Sequence, residues 1–253
     1  MGTTLAWIRG WSGVVRLALV LAALGVSASS YTARLRTTAL RQLYFTVGQV
    51  IVPFLLFSTL LSVILTTITV QTAREYGLGL YALELVFRVL VLEMLPLLTA
   101  FFVALRSGSA IGTEVALMRA SGELDSMRSA NIDPVEREFL PRVLASAVSV
   151  FALTVISAAV ALFAAYFSVY GLSPWGFAEF TRSVGQVFTP LALSGLALKT
   201  LVFGFAVALI PIAAGLAATR DLKSAPVAVL RGMVRLFFAL GLIELLSLAI
   251  EYV

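Results

Sequence analysis

The chain contains no cysteine and no histidine. That excludes a disulfide framework, a thiolate nucleophile, a histidine-based triad and the ordinary zinc or haem ligand sets. Charge is scarce too: 12% of the 253 residues are Asp, Glu, Lys or Arg, about half the ~25% of a soluble domain. No GxxxxGK[ST] loop occurs anywhere, so the chain lacks the backbone cradle with which such loops hold nucleotide phosphates. What is present is apolar. Hydrophobic residues make up 60% of the sequence, and the mean hydropathy is +1.03. The 17 Phe and the many Leu, Val and Ala are dispersed along long runs, without the ten-residue alternation of a membrane β-barrel. The expected fold class is all-α, a polytopic membrane protein.

Residues 1–30 carry Trp7 and Trp11 four apart beside Ile8 and Val15, with Arg9 and Arg16 at another angle. That pattern favours an amphipathic helix in the headgroup zone. A cleaved signal or a tilted extra span fits the short run Leu17–Val26 less well, since a span needs about 20 apolar residues. Five spans are then expected, at about 43–70, 80–105, 143–170, 184–218 and 233–250. Pro53 lies inside the first. The fourth is over-long, and Pro190, Gly195 and Pro211 predict that it bends or breaks.

Between spans two and three stands a polar insert, 106–142. With Leu105 it holds eleven of the chain's 31 charged side chains, so it must lie in water. Lys and Arg set the orientation. With the amino terminus inside, the inner segments hold fourteen basic residues and the outer loops only Arg74 and Arg182. That bias places the insert in the cytoplasm and, with an odd span count, the carboxyl terminus outside.

Within the insert, Ile111, Val115 and Met118 form a one-sided apolar stripe with Glu114 and Arg119 off it. Ser121 is expected to cap a second short helix through Glu123, Leu124, Asp125 and Met127. The DPVE run starts a third: Asp133 caps, Pro134 takes the first position, and Glu136 stands where a capping-box acid reaches back. Such an element is a rigid bracket suited to docking a soluble partner; the plainer alternative is a connecting loop with incidental helices.

Ionisable groups inside spans are costly and therefore candidates for function. Glu84 and Arg88, four apart with the acid first, are spaced for a helical ion pair. Glu93 has no partner at i±4. Lys199, in span four, is expected either to pair with an acid of another span or to face a lipid phosphate.

The stretch from Leu92 to Arg142 resembles the signature of MlaE-type permeases, also called the YrbE family, the membrane subunits of ABC transporters that work with MCE-domain proteins. The matching residues are Glu93-Met94-Leu95-Pro96, Arg106-Ser107-Gly108-Ser109, Glu114 with Met118-Arg119, Glu123-Leu124-Asp125 and Asp133-Pro134. RQLY (Arg41–Tyr44) is similar to the family's entry into its first span. Two departures stand out. The family's Glu-Leu-Gly-Pro has lost its glycine here, and AATRDLKSAPVAVLRGMV (Ala217–Val234) shows no Val-Gly-x-Ala-Thr-Thr motif.

The resemblance implies a homodimer of permeases in the bacterial inner membrane, bound to two cytoplasmic ABC ATPase subunits and capped by a periplasmic MCE-domain protein. Phospholipid would occupy a cavity between the two copies, near Leu65, Tyr76 and Glu93. Lys199 matches a lysine at the start of the family's fourth span. The insert would couple to the ATPase through Glu114, Arg119, Glu123, Asp125 and Arg128, with Leu124 and Met127 as buried anchors. The chain itself would need no cofactor or metal, since ATP and Mg would belong to the ATPase, and no nucleic acid is expected. Other classes stay open: a proton-coupled transporter using Glu84, Arg88, Glu93 and Lys199 as a relay, an intramembrane enzyme with Glu93 as base, or a structural subunit without transport. The absence of a second homologous half argues against the proton-coupled transporter.

Overall fold

In a computed structural model of the protein, residues 11–21, 33–219, 221 and 225–252 are described, and among them there is no strand. A short helix, α1 (Trp11–Leu21), precedes α2 (Ala33–Glu75), α3 (Ala82–Ala120), α4 (Glu123–Ser129) and α5 (Val135–Tyr170). Then follow α6 (Phe177–Val187), α7 (Pro190–Leu216) and α8 (Ala225–Tyr252). Five of these hold segments long and apolar enough to cross a membrane: Val50–Glu75 of α2, α3, α5, α7, and Ala225–Glu251 of α8. Helices are what an apolar chain must form there, because hydrocarbon offers no partner for an open backbone group. Trp7, Arg9, Arg220 and Lys223 lie outside the described residues.

The helix α3 departs from expectation. Span two does not stop at Leu105; it runs unbroken through Arg106–Gly108 to Ala120. At 1.5 Å per residue, 39 residues reach about 58 Å, nearly twice the ~30 Å hydrocarbon thickness. The first helix of the insert is therefore the protruding end of a span. Two stretches, Phe87–Met94 and Ala104–Gly108, are widened into π-type turns, as is Val135–Phe139 at the start of α5. The expected fourth span also divides. Phe188 breaks the chain after the amphipathic α6, and Thr189 Oγ1 accepts from Ala192 N at 3.3 Å to start α7 with Pro190 at its first position.

The centre of the bundle is α7, which packs against α3, α5 and α8, while α2 lies along α5. Glycine makes the α3–α7 crossing tight. A Cβ on Gly112 would stand 3.2 Å from Pro211 Cβ, and one on Gly215 only 2.8 Å from the Gly112 carbonyl oxygen. The helices approach closely there because Gly112 and Gly215 leave room for the partner helix's backbone and for Pro211 and Val115. Several buried hydroxyls donate within their own helices, as in Ser62 Oγ to Ser58 O (2.6 Å) and Thr154 Oγ1 to Val150 O (2.8 Å), while Thr66 Oγ1 and Ser146 Oγ have no partner. Apolar packing is layered. A middle core runs through Phe54, Val103, Leu153, Phe203 and Leu236. One end is closed by Ile111, Val115, Leu124, Phe139 and Ile212, and the other by Phe87, Leu95, Ala161 and Val187.

Candidate functional site

Three helices bring one ionic group into the interior. Lys199 of α7 donates its Nζ to Glu93 Oε2 of α3 and, at 2.9 Å, to Glu244 Oε1 of α8. The three residues are 6%, 7% and 8% exposed. Of the two expectations for Lys199, pairing with an acid of another span is the arrangement formed. Glu244 went unnoticed in the sequence, although an acid in the run LGLIELLSLA is as costly in hydrocarbon as Glu93. One cation faces two carboxylates on a polar seam where α3, α7 and α8 meet.

The other intramembrane pair did not form. No salt bridge joins Glu84 to Arg88, and Arg88 is exposed. The widened turns begin at Phe87, and where a turn needs more residues, positions four apart no longer stand above one another. Leu65 is half-buried against the apolar cluster around Leu92 and Leu95, close in the fold to the Glu93 turn. Tyr76 lies just past the end of α2 and is 77% exposed.

At the opposite end the insert folds into a bracket. The outer part of α3 supplies its first limb, with Ile111, Val115 and Met118 buried and Glu114 exposed. The turn to α4 is made by Gly122 at φ +78°, a conformation that glycine adopts without strain. Ser121 does not cap α4; its hydroxyl donates back to Met118 O at 3.3 Å. Because Gly122 already reverses the chain, its carbonyl accepts from Asp125 N and Ser126 N. The expected cap at Asp133 is present, its Oδ1 accepting from Val135 N at 2.9 Å. The capping-box reach from Glu136 is not made: Glu136 is exposed, and α5 opens in a widened turn that removes the required register.

Polar residues knit the bracket. Arg119 and Arg128 both approach Asp125 Oδ1, at 3.6 and 3.8 Å. Arg142, 5% exposed, sends Nη2 to Glu114 Oε1 at 2.8 Å and to Glu138 Oε2 at 3.2 Å. Beside it opens a cleft of about 320 Å³ walled by Glu114, Leu117, Met118, Ser121, Glu123, Glu138 and Arg142. Leu124, expected as a buried anchor, packs inward. It is 1% exposed and sits in the protein's own core with Ile111, Phe139 and Ile212, against which Met127 also packs. The large apolar side chain that the bracket presents to water is Leu117, 45% exposed. A stripe counted on from Ile111 at about 100° per residue would place Leu124 about 220° away, on the other face; the turn at Gly122 is what brings it to the inner side.

The sequence profile of the family described as permease MlaE matches residues 39–250. A probable ABC transporter permease protein of Synechocystis sp. is 31% identical over 161 residues, 61% of this chain and 60% of that protein. The intermembrane phospholipid transport system permease protein MlaE of Haemophilus influenzae is 32% identical over 95 residues, 38% of this chain and 35% of its own length. The chloroplastic protein TRIGALACTOSYLDIACYLGLYCEROL 1 of Arabidopsis thaliana is 29% identical over 184 residues, 68% of this chain and 51% of its own. The matches span between about a third and three fifths of these three proteins.

Proposed function

Because the chain belongs to the MlaE permease family, we propose that it is the membrane subunit of an ABC transporter for phospholipid or a related lipid. A separate ATPase drives it through the insert, and a periplasmic MCE-domain protein receives or delivers the lipid. Two permease copies form the transport unit in the bacterial inner membrane, with the amino terminus and insert in the cytoplasm and the carboxyl terminus in the periplasm.

The observation that carries this reading is the continuity of α3. One helix bears Glu93 inside the membrane and Glu114 on the bracket, about 30 Å further along at 1.5 Å per residue. A push on the bracket is a push on the helix that holds the buried ionic group. The chain has no nucleotide-binding loop of its own, so the push must come from a partner. The cargo assignment rests on the Haemophilus relative, whose name is that of a phospholipid permease.

Within this scheme Glu93 lies near the lipid cavity beside Leu65, with Tyr76 at its headgroup end. The contact set for the ATPase is Glu114, Leu117, Arg119, Glu123, Asp125 and Arg128, with Leu124 and Met127 supporting them from beneath. The chain acts as a transport subunit rather than an enzyme, and ATP and Mg bind the partner. The test is co-expression with candidate ATPase and MCE subunits, followed by purification and lipid extraction. Co-purification of an ATPase with bound phospholipid is the expected outcome. Lipid movement by the ATPase-free chain under a proton gradient would instead establish the proton-coupled alternative.

A further inference from the structure

Arg142 is the buried arginine of the bracket, and its surroundings do not explain it as a stabilising residue. It stands at the first full turns of span three, with its side chain 6% exposed. One nitrogen, Nη2, carries both ion pairs, to Glu114 on the limb entering the bracket and to Glu138 on the limb leaving it. The second, Nη1, is buried with no hydrogen-bond partner. A buried donor left unpaired costs stability, and replacing a buried ion pair by apolar packing is often neutral or favourable. Apolar residues in place of Arg142, Glu114 and Glu138 together would therefore fill this place at least as well if filling were all that mattered.

What the charge does, and an apolar side chain would not, is tie the two limbs together. Glu114 and Glu138 lie far apart in sequence and on different spans, yet one nitrogen holds both. The apolar floor of Ile111, Val115, Phe139, Leu140 and Val143 packs the same limbs without fixing their sliding, since apolar contacts are not directional. Ion pairs to a single nitrogen do fix it. We infer that Arg142 is a positioning residue that joins α3 to α5, so that force on the bracket moves both spans as one. This rests on the reading that a cytoplasmic ATPase acts on the bracket.

The chain lacks cysteine, which makes the joint directly measurable. Thr113 and Glu136, both exposed and on opposite limbs, are changed to cysteine and spin-labelled in the full chain in nanodiscs. The expected result is a narrow label-to-label distance distribution that broadens in R142Q and R142M and narrows again in R142K. One ammonium can serve both carboxylates as the single Nη2 does. Equal widths in all four proteins, or recovery by R142M as complete as by R142K, would overturn the proposal.

In the assembled transporter, R142Q should retain ATP turnover while lipid moved per ATP falls about tenfold, within the range by which single residues alter coupling. An unchanged ratio would overturn the coupling role. Should R142Q not fold, E138Q cuts one limb only, and the same outcomes apply. If the native chain retains no ATPase, the transporter reading fails, while the distance measurement still decides whether the joint exists.

Discussion

Replacing Lys199 by methionine removes the cation that Glu93 and Glu244 both contact. The attraction can be sized from the structure. At 2.9 Å from Glu244 Oε1, an effective dielectric of about 20 gives ~6 kcal/mol for that pair, and Glu93 contributes a similar amount. Against this stands the desolvation of three ions, at several kcal/mol each, so the intact group is near break-even. The single substitution is different, because both carboxylates remain buried and lose their counter-charge together. Breaking a buried pair in this way costs about 3–5 kcal/mol. For a chain of this size that lowers the melting temperature by about 6–20 °C. The assay is thermal unfolding of the detergent-purified chain. The decisive comparison is the triple variant Lys199→Met, Glu93→Gln, Glu244→Gln, which removes all three charges and should recover to within about 1 kcal/mol of the native protein. It should nonetheless carry less co-purified phospholipid, separating the group's role in transport from its role in folding. A Lys199→Met loss below about 1 kcal/mol, or a triple variant as unstable as the single one, would refute the reasoning.

Further substitutions test the packing and the bracket. Gly215→Val drives a side chain into the Gly112 carbonyl and Val115; unfolding should show a loss of about 1–3 kcal/mol. Leu124→Asp buries an unpaired charge in the core and should destabilise the chain by about 3–5 kcal/mol before any partner is added. Leu117→Asp, on the exposed face, should leave stability within about 0.5 kcal/mol, and pull-down should then show weakened ATPase association. Asp133→Ala removes the cap on Val135 N and should cost about 1 kcal/mol in the same unfolding assay.

The parts that were legible in the sequence are those governed by composition over long windows. Five apolar runs, the polar insert, the cap at Asp133 and the interruption near Pro190 all follow from hydropathy and from the chemistry of single residues. What escaped depends on which residues meet. Glu244 stands out as a costly acid in an apolar run, but its partner is fixed only when α8 is laid against α7, and Arg142 is one more charge of the insert until α3 and α5 converge. Leu124 looks like an anchor only if α4 is taken as detached; the turn at Gly122 folds it back under the bracket.

The widened turns of α3 left a trace in the sequence that a helical period of 3.6 obscures. Leu83, Phe87, Val91, Leu95, Thr99 and Val103 are all buried, at a constant spacing of four. In a regular α-helix each step of four residues overshoots a turn by about 40°, so five steps would carry this row about 200° around the helix. The widened turns at Phe87–Met94, inside the row, offset part of that drift. The row can then stay in contact over the whole span. Glu93 stands two residues off the row, on nearly the opposite side, and is buried there by α7 and α8. A helix covered on both sides gives an acid no route by which to reach water. Glu93 therefore had to meet a cation from another span, and among the described residues Lys199 is the cation that reaches it.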